Sequence, residues 1–257
     1  MVDSRLLSIA QDQPYPLLFA TLSGAHLYGF ASEDSDYDLR GSHLLPVEDV
    51  IGLSTGPDSL QVSRQTAGLE LDLVTHDILK FCRLLLENNG YVLEQLYSPL
   101  VVLGGPSHDE LKAIARGCIT RQHVHHYLGF FRNQWELVEK EEPPRLKPLL
   151  YCYRVLLTGI HLMRTGEVVA DLGELAPESG LPYLDELILA KRGGSERGTI
   201  RSEDVDRYQG DLARLEQRLV EAGEESELPA EPQSRVQVDD YVKRIRLGTL
   251  DATAPRR

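Results

Sequence analysis

One stretch of nineteen residues, Ser23 to Gly41, constrains this chain more than any other: SGAHLYGFASEDSDYDLRG. A turn of small residues, Ser23-Gly24-Ala25, stands a fixed distance ahead of two acids, Asp36 and Asp38. An apolar run, Leu17 to Ala20, precedes the turn, and Tyr37 and Leu39 interleave with the acids. Side chains two apart on a strand point to one face. The pattern therefore predicts Asp36 and Asp38 side by side on the edge of a strand. Carboxylates held that close repel, and a shared hard cation such as Mg²⁺ (or Mn²⁺) relieves the repulsion. The small-residue turn lets backbone N–H groups approach a phosphate. A phosphate cradle beside a metal-holding acid pair is equipment for phosphoryl or nucleotidyl transfer.

The rest of the chain bounds the setting. Its 257 residues suffice for one large domain or two small ones. No apolar run is long enough to span a bilayer, and the first residues, MVDSRLLSIAQDQ, lack the features of a signal peptide. Cys82, Cys118 and Cys152 are odd in number and lie among apolar neighbours, which predicts buried free thiols. The expected location is cytoplasmic, with no membrane partner.

A net charge of −13 argues against non-specific coating of nucleic acid. The charge is unevenly spread. Residues 1–110 hold 5 basic and 16 acidic residues, 111–165 hold 9 and 4, and 166–257 hold 13 and 20. The single basic segment fits either a phosphate-holding half beside an acidic metal-holding half, or arginines on solvated helix faces.

Periodicity predicts the elements. Val2–Gln11 reads as a helix, Leu17–Leu22 as a buried strand and Tyr37–Leu45 as the strand that carries the acids. Leu69 to Leu73 alternates cleanly, with Glu70 and Asp72 on its polar face. A helix is expected from Thr75 or His76 to Leu86, ended by Asn89-Gly90, then a short helix Tyr91–Tyr97 and a strand Leu100–Leu103. Gly104-Gly105-Pro106 is the clearest punctuation, so domains are expected over 1–105 and 106–257. Beyond it the periods are helical, with a polar, mobile linker expected near 224–234 and a frayed tail over Ala252–Arg257. Lys147, Tyr151 and Arg154 share one helix face. Such a stripe makes either a triphosphate clamp or a buried tyrosine flanked by two snorkelling cations. His123, His125 and His126 have no cysteine or nearby acid to complete a zinc site, and Tyr127, Phe130, Phe131 and Trp135 have core spacing.

The stretch resembles the DNA polymerase β-type nucleotidyltransferase superfamily, whose motif is Gly-Ser, about ten residues, then Asp-x-Asp. More narrowly it resembles the RlaP/YcgL-like predicted nucleotidyltransferases associated with RNA repair. Ser35 to Gly41 match that family's Ser-Asp-x-Asp-x-Arg-Gly string. Leu71-Asp72-Leu73, His76–Leu86, Leu93–Leu96 with Ser98-Pro99, and Lys147 to Arg154 match in the same order, so the likeness spans roughly residues 17 to 165. Ala25 departs from the pattern, because the superfamily has a serine there whose hydroxyl helps hold phosphate.

The resemblance implies an α+β fold: a small mixed-sheet nucleotidyltransferase core with flanking helices and a helical C-terminal domain. It implies Asp36, Asp38 and Asp72 as catalytic and metal-holding residues, with Glu70 as the fallback for Asp72. It implies Ser23, Gly24, Ala25, Ser35, Lys147, Tyr151 and Arg154 as nucleotide-binding. An NTP would be the substrate and an RNA end the acceptor. Three alternatives stand beside it: a protein acceptor, a non-catalytic nucleotide sensor that keeps the fold, and a structural interaction protein whose acids are merely solvated.

Overall fold

The computed structural model describes residues 3–66, 68–194 and 197–248; the expected tail, Ala252–Arg257, lies outside them. The fold is α+β, as the sequence implied. The chain divides into two compact units. The first comprises Met1–Gly24, Asp36–Ile119 and Glu231–Arg257, and the second Ala25–Ser35 and Thr120–Ala230. This grouping differs from a split at Gly104–Pro106. The helix that follows that punctuation, and the last helix of the chain, join the sheet-bearing unit.

The first unit opens with helix α1 (Ser4–Gln11), capped by the Asp3 carboxylate, which accepts from the Arg5 N–H at 2.9 Å. Its buried face, Leu6, Ile9 and Ala10, meets the sheet residues Leu17, Ala20, Leu22, Leu39, Leu69, Leu71 and Leu73 in one core. A single turn, α2 (Gly24–Leu27), carries the chain out of this unit. The strands are β1 (Leu17–Leu22), β2 (Tyr37–His43), β3 (Ser59–Thr66), β4 (Leu69–Asp77) and β5 (Val101–Leu103), ordered β3-β4-β2-β1-β5. Strand β1 is buried at every position, which explains its apolar character; its one polar side chain, Thr21, donates to the Gln95 carbonyl at 2.7 Å. Gly41 on β2 is required by close approach, since a Cβ there would lie 2.2 Å from the Phe19 carbonyl oxygen.

Strands β2 and β4 run parallel in register from Tyr37↔Leu71 to His43↔Asp77, and the other pairs are antiparallel. That ladder corrects the expected helix start at Thr75 or His76. Both residues stay in β4, and α3 (Ile78–Leu86) begins only after Asp77, whose carboxylate caps it through the Leu79 N–H at 3.0 Å. Asn89 closes α3, its N–H donating to the Leu84 carbonyl at 3.2 Å after the left-handed Asn88 (φ 59°). It also caps α4 (Gly90–Tyr97), accepting from the Tyr91 and Val92 N–H groups. The other face of the sheet carries Phe19, which meets Phe81 edge-on and stacks on His108 of α5 (Pro106–Ala115) at 4.5 Å.

The last helix, Arg235–Arg246, docks on α3 and α5. Tyr241 donates to the Ser107 carbonyl, and Arg246 makes a two-pronged, buried ion pair with Asp77 at 2.7 and 3.0 Å.

The second unit is helical. It holds α6 (His123–Lys140), α7 (Leu146–Thr165), α8 (Leu172–Ser179), α9 (Tyr183–Gly193) and α10 (Val205–Glu225). Helix α7 is its axis, buried nearly all round, as a helix without a polar face must be. Tyr127 and Phe131 are buried, as their core spacing predicts, whereas Phe130 and Trp135 are half-buried. The segment after α10, where a linker is expected, makes several hydrogen bonds. Ser226 donates to the Met163 carbonyl and the Pro229 carbonyl accepts from the Arg121 N–H, while in the first unit the Gln233 N–H donates to Gly117. All three cysteines are free and buried, and burial raises their pKa values, Cys118 to about 11. Among the described residues no helix is long and apolar enough to cross a membrane.

Candidate functional site

Strand β2 begins at Tyr37, so Asp36 stands one residue ahead of it and Asp38 lies on it. The acids therefore do not both ride on a strand edge, as the alternation predicted. Asp38 is instead drawn toward Asp72. The two are direct partners in the parallel β2/β4 ladder. Asp72 thus owes its place beside the motif to a contact thirty-four residues away in the chain.

Between the two carboxylates lies Arg40. One of its guanidinium nitrogens, Nη2, donates to Asp38 Oδ1 at 2.6 Å and to Asp72 Oδ2 at 2.8 Å. The other, Nη1, donates to the backbone carbonyls of Asp72 and Leu39, and Nε donates to the Tyr91 hydroxyl at 3.2 Å. Arg40 is buried. Burial opposes its charge, but the Tyr91 oxygen and the two carboxylates outweigh it and raise its pKa. Sequence reasoning gave Arg40 no role, although its spacing from Asp38 is the same two residues that place side chains on one strand face.

Asp72 has a second set of partners from β3. Ser63, its register partner on that strand, donates its hydroxyl to Asp72 Oδ1 at 2.6 Å, and the Gln61 amide lies 3.5 Å from the same oxygen. Burial pushes the Asp72 pKa up, but Ser63 and Arg40 together hold it below the usual carboxylate range. Nothing in the local sequence marks Ser63, because only the β3/β4 register reveals it. Glu70 is exposed on the same strand.

The turn meets the acids closely. Gly24 has φ +59°, and a Cβ on it would fall 1.8 Å from Asp38 Oδ2. Only glycine leaves room for that carboxylate and adopts that backbone without strain. Ser23 is buried, and its N–H donates to the Asp38 carbonyl at 2.8 Å.

From Ala25 to Ser35 the chain belongs to the second unit. There the Tyr28 carbonyl accepts from the Leu172 N–H and the Gly29 carbonyl from Arg192 Nε. The buried Lys191 ammonium donates to Ser32, whose N–H donates to the Ser35 hydroxyl oxygen. Arg154 is 2% exposed, with its guanidinium 4.0 Å from the centre of the Tyr28 ring and further from Phe130 and Tyr151. On the same helix Lys147 and Tyr151 are half-buried. Arg154 thus holds the spacer of the motif through Tyr28. The three histidines diverge in environment: His123 is buried, His126 stacks on Phe130, and His125 is exposed.

A divalent cation suits the donor chemistry at Asp36, Asp38 and Asp72, since carboxylate oxygens are hard ligands and a cation already sits between two of them. As the side chains stand, no three His, Cys, Asp or Glu groups among the described residues form a metal cage.

Comparison with known proteins adds an independent line. The family model described as RlaP, RNA repair pathway DNA polymerase beta family, matches residues 1–244. The chain is 33% identical over 156 residues to the uncharacterized protein MJ0002 of Methanocaldococcus jannaschii, covering 60% of this chain and 63% of that protein. It is 24% identical over 199 residues to the uncharacterized protein YcgL of Bacillus subtilis, covering 74% and 75% of the two.

Proposed function

The chain belongs to the RlaP family of RNA repair pathway, DNA polymerase beta type proteins, and on that premise we propose that it is a metal-dependent nucleotidyltransferase acting on an RNA end. It would move a nucleoside monophosphate from an NTP to a hydroxyl acceptor. The observation that carries the reading is the direct pairing of Asp38 with Asp72 on parallel strands, with the Gly24 turn pressed against Asp38.

In this reading the acceptor oxygen bonds to the α-phosphorus, the bond to the departing pyrophosphate breaks, and Asp72 takes the hydroxyl proton. Ser63 holds Asp72 aimed for that task. A Mg²⁺ or Mn²⁺ ion bound by Asp36, Asp38 and Asp72 would neutralise the entering and leaving oxygens. The backbone of Ser23-Gly24-Ala25, together with Ser35, would receive phosphate oxygens. Lys147, Tyr151 and Arg154 belong to the same proposal as nucleotide-binding residues, and Lys147→Ala is expected to raise KM for the NTP more than it lowers kcat.

A second reading, nucleotide binding without turnover, is favoured by Ala25, which lacks the serine hydroxyl and is itself buried. Incubation with each α-³²P-labelled NTP, Mg²⁺ and total RNA separates the readings. Label on RNA that vanishes in Asp36→Ala/Asp38→Ala supports transfer. Label on protein instead moves the acceptor. Mg²⁺-dependent NTP binding without label favours the sensor, and label that persists in the double variant sinks the site assignment.

A further inference from the structure

The reading of Asp38 and Asp72 as metal ligands leaves Arg40 to be explained. We infer that Arg40 occupies the cation position of this site, and that a divalent ion enters only when the guanidinium gives up its carboxylates. The inference rests on the metal-dependent reading above.

The geometry argues for exclusion rather than coexistence. A single nitrogen, Nη2, contacts both Asp38 Oδ1 and Asp72 Oδ2, at 2.6 and 2.8 Å. An ion of the Mg²⁺ class ligates carboxylate oxygens at about 2.0–2.1 Å. An ion bridging those two oxygens would need the volume that Nη2 fills. The remaining carboxylate oxygens offer little alternative. Asp38 Oδ2 lies against Gly24, and Asp72 Oδ1 accepts from Ser63.

Charge argues the same way. Arg40 is buried, and a guanidinium is always charged in a protein, so it repels any arriving cation. Without a cation, two carboxylates on adjacent strands would face each other, so the guanidinium holds the site together when metal is absent. Nη1 and Nε hold the Asp72 and Leu39 carbonyls and the Tyr91 hydroxyl from the same rigid plane, so vacating the position means turning the whole guanidinium. Arg40 is thus a positioning residue that exchanges with metal.

The test is Mn²⁺ binding to the full-length protein, followed by electron paramagnetic resonance of the free ion, in wild type, Arg40→Met, Arg40→Lys and Asp38→Asn/Asp72→Asn. Removing a like charge from beside an ionic site is worth about one to three decades. Arg40→Met is therefore expected to bind Mn²⁺ roughly tenfold tighter or better, with Arg40→Lys between it and wild type. In EDTA, Arg40→Met should melt below wild type, and saturating Mn²⁺ should restore most of the difference. A merely structural arginine would lower stability without tightening metal binding. Mn²⁺ affinity that is unchanged or weaker in Arg40→Met, while still lost in Asp38→Asn/Asp72→Asn, overturns the exchange and leaves the metal reading intact. No Mn²⁺ binding in any form overturns both. Should Arg40→Met fail to fold, wild type decides. The Arg40 Nε–H resonance, assigned by its loss in Arg40→Lys, should shift on saturation with Mg²⁺, and an unmoved resonance in Mg²⁺-bound protein overturns the exchange.

Discussion

The carboxylate of Asp38 lies against the backbone of Gly24, so close that a Cβ on the glycine would sit 1.8 Å from Asp38 Oδ2. The two ends of the motif, fourteen residues apart in the chain, are one contact in space. The spacer between them is held elsewhere, by Arg154, Lys191 and Arg192 of the helical unit. Between Gly24 and Asp38 the chain passes into the helical unit over Ala25–Ser35 and returns to the sheet unit at Asp36.

Gly24→Ala is expected to disable the site. The left-handed backbone at φ +59° costs about 1–2 kcal/mol with a side chain. The larger effect is displacement of Asp38, and a misplacement of about 1 Å can cost a hundredfold in rate. Single-turnover transfer assays at saturating NTP should therefore fall by about a hundredfold or more while the fold, followed by circular dichroism, is retained. Near-wild-type turnover would contradict the role given to this contact.

Ser63→Ala should change the pH profile. Ser63 and Arg40 hold the Asp72 pKa below its ordinary value against the opposing effect of burial. Asp72 acts ionised in the proposed reaction, so losing the Ser63 hydrogen bond raises its pKa and moves the acid limb of the rate profile to higher pH. Well above that limb the rate should be close to wild type. An unmoved limb would show that Asp72 is not the titrating base.

Arg246→Met should destabilise the first unit. It leaves the Asp77 carboxylate buried without its two-pronged partner, at side-chain exposures of 10% and 4% for the pair. Breaking a buried pair from one side costs about 3–5 kcal/mol. The double variant Asp77→Asn/Arg246→Met should recover part of this, measured by denaturant unfolding. Equal losses in single and double variants would deny the pair its coupling.

Acid should destabilise the fold through buried histidines. Burial lowers His108, His123 and His126 to about 4, with the Leu96 carbonyl, the Thr120 backbone and Arg154 acting respectively as their next influences. The ordinary value is about 6.5, so between pH 6.5 and 4 the unfolded chain binds more protons than the folded one. Stability is then full above pH 6.5 and is lost as pH falls toward 4, by on the order of 2 kcal/mol per histidine at pH 5. His108→Gln, which keeps a donor for the Leu96 carbonyl, should flatten the slope of stability against pH. An unchanged slope would place the acid sensitivity elsewhere.

Local periodicity carried a good part of this fold. Leu17–Leu22 was legible as a strand because every position but Thr21 is apolar, and α10 was legible because its apolar residues recur at the helical period. Such patterns report burial, which each segment encodes by itself. The turn at Gly24 and the acids at Asp36 and Asp38 were likewise evident as residue types at a spacing. What no local pattern encodes is strand register. The parallel β2/β4 ladder kept Thr75 and His76 in a strand, set Asp72 opposite Asp38, and with β3 brought Ser63 to Asp72. The same ladder put Arg40 between two acids where its stem alone said only that it shares a face with one. Grouping of the spacer with the helical unit, and docking of the last helix through Arg246 on Asp77, were also decided in three dimensions. The physical reason is common to all of these. Periodicity is a property of a segment and its burial, whereas hydrogen-bond ladders and ion pairs join residues far apart in the chain, and which partners meet is settled only when the whole core closes.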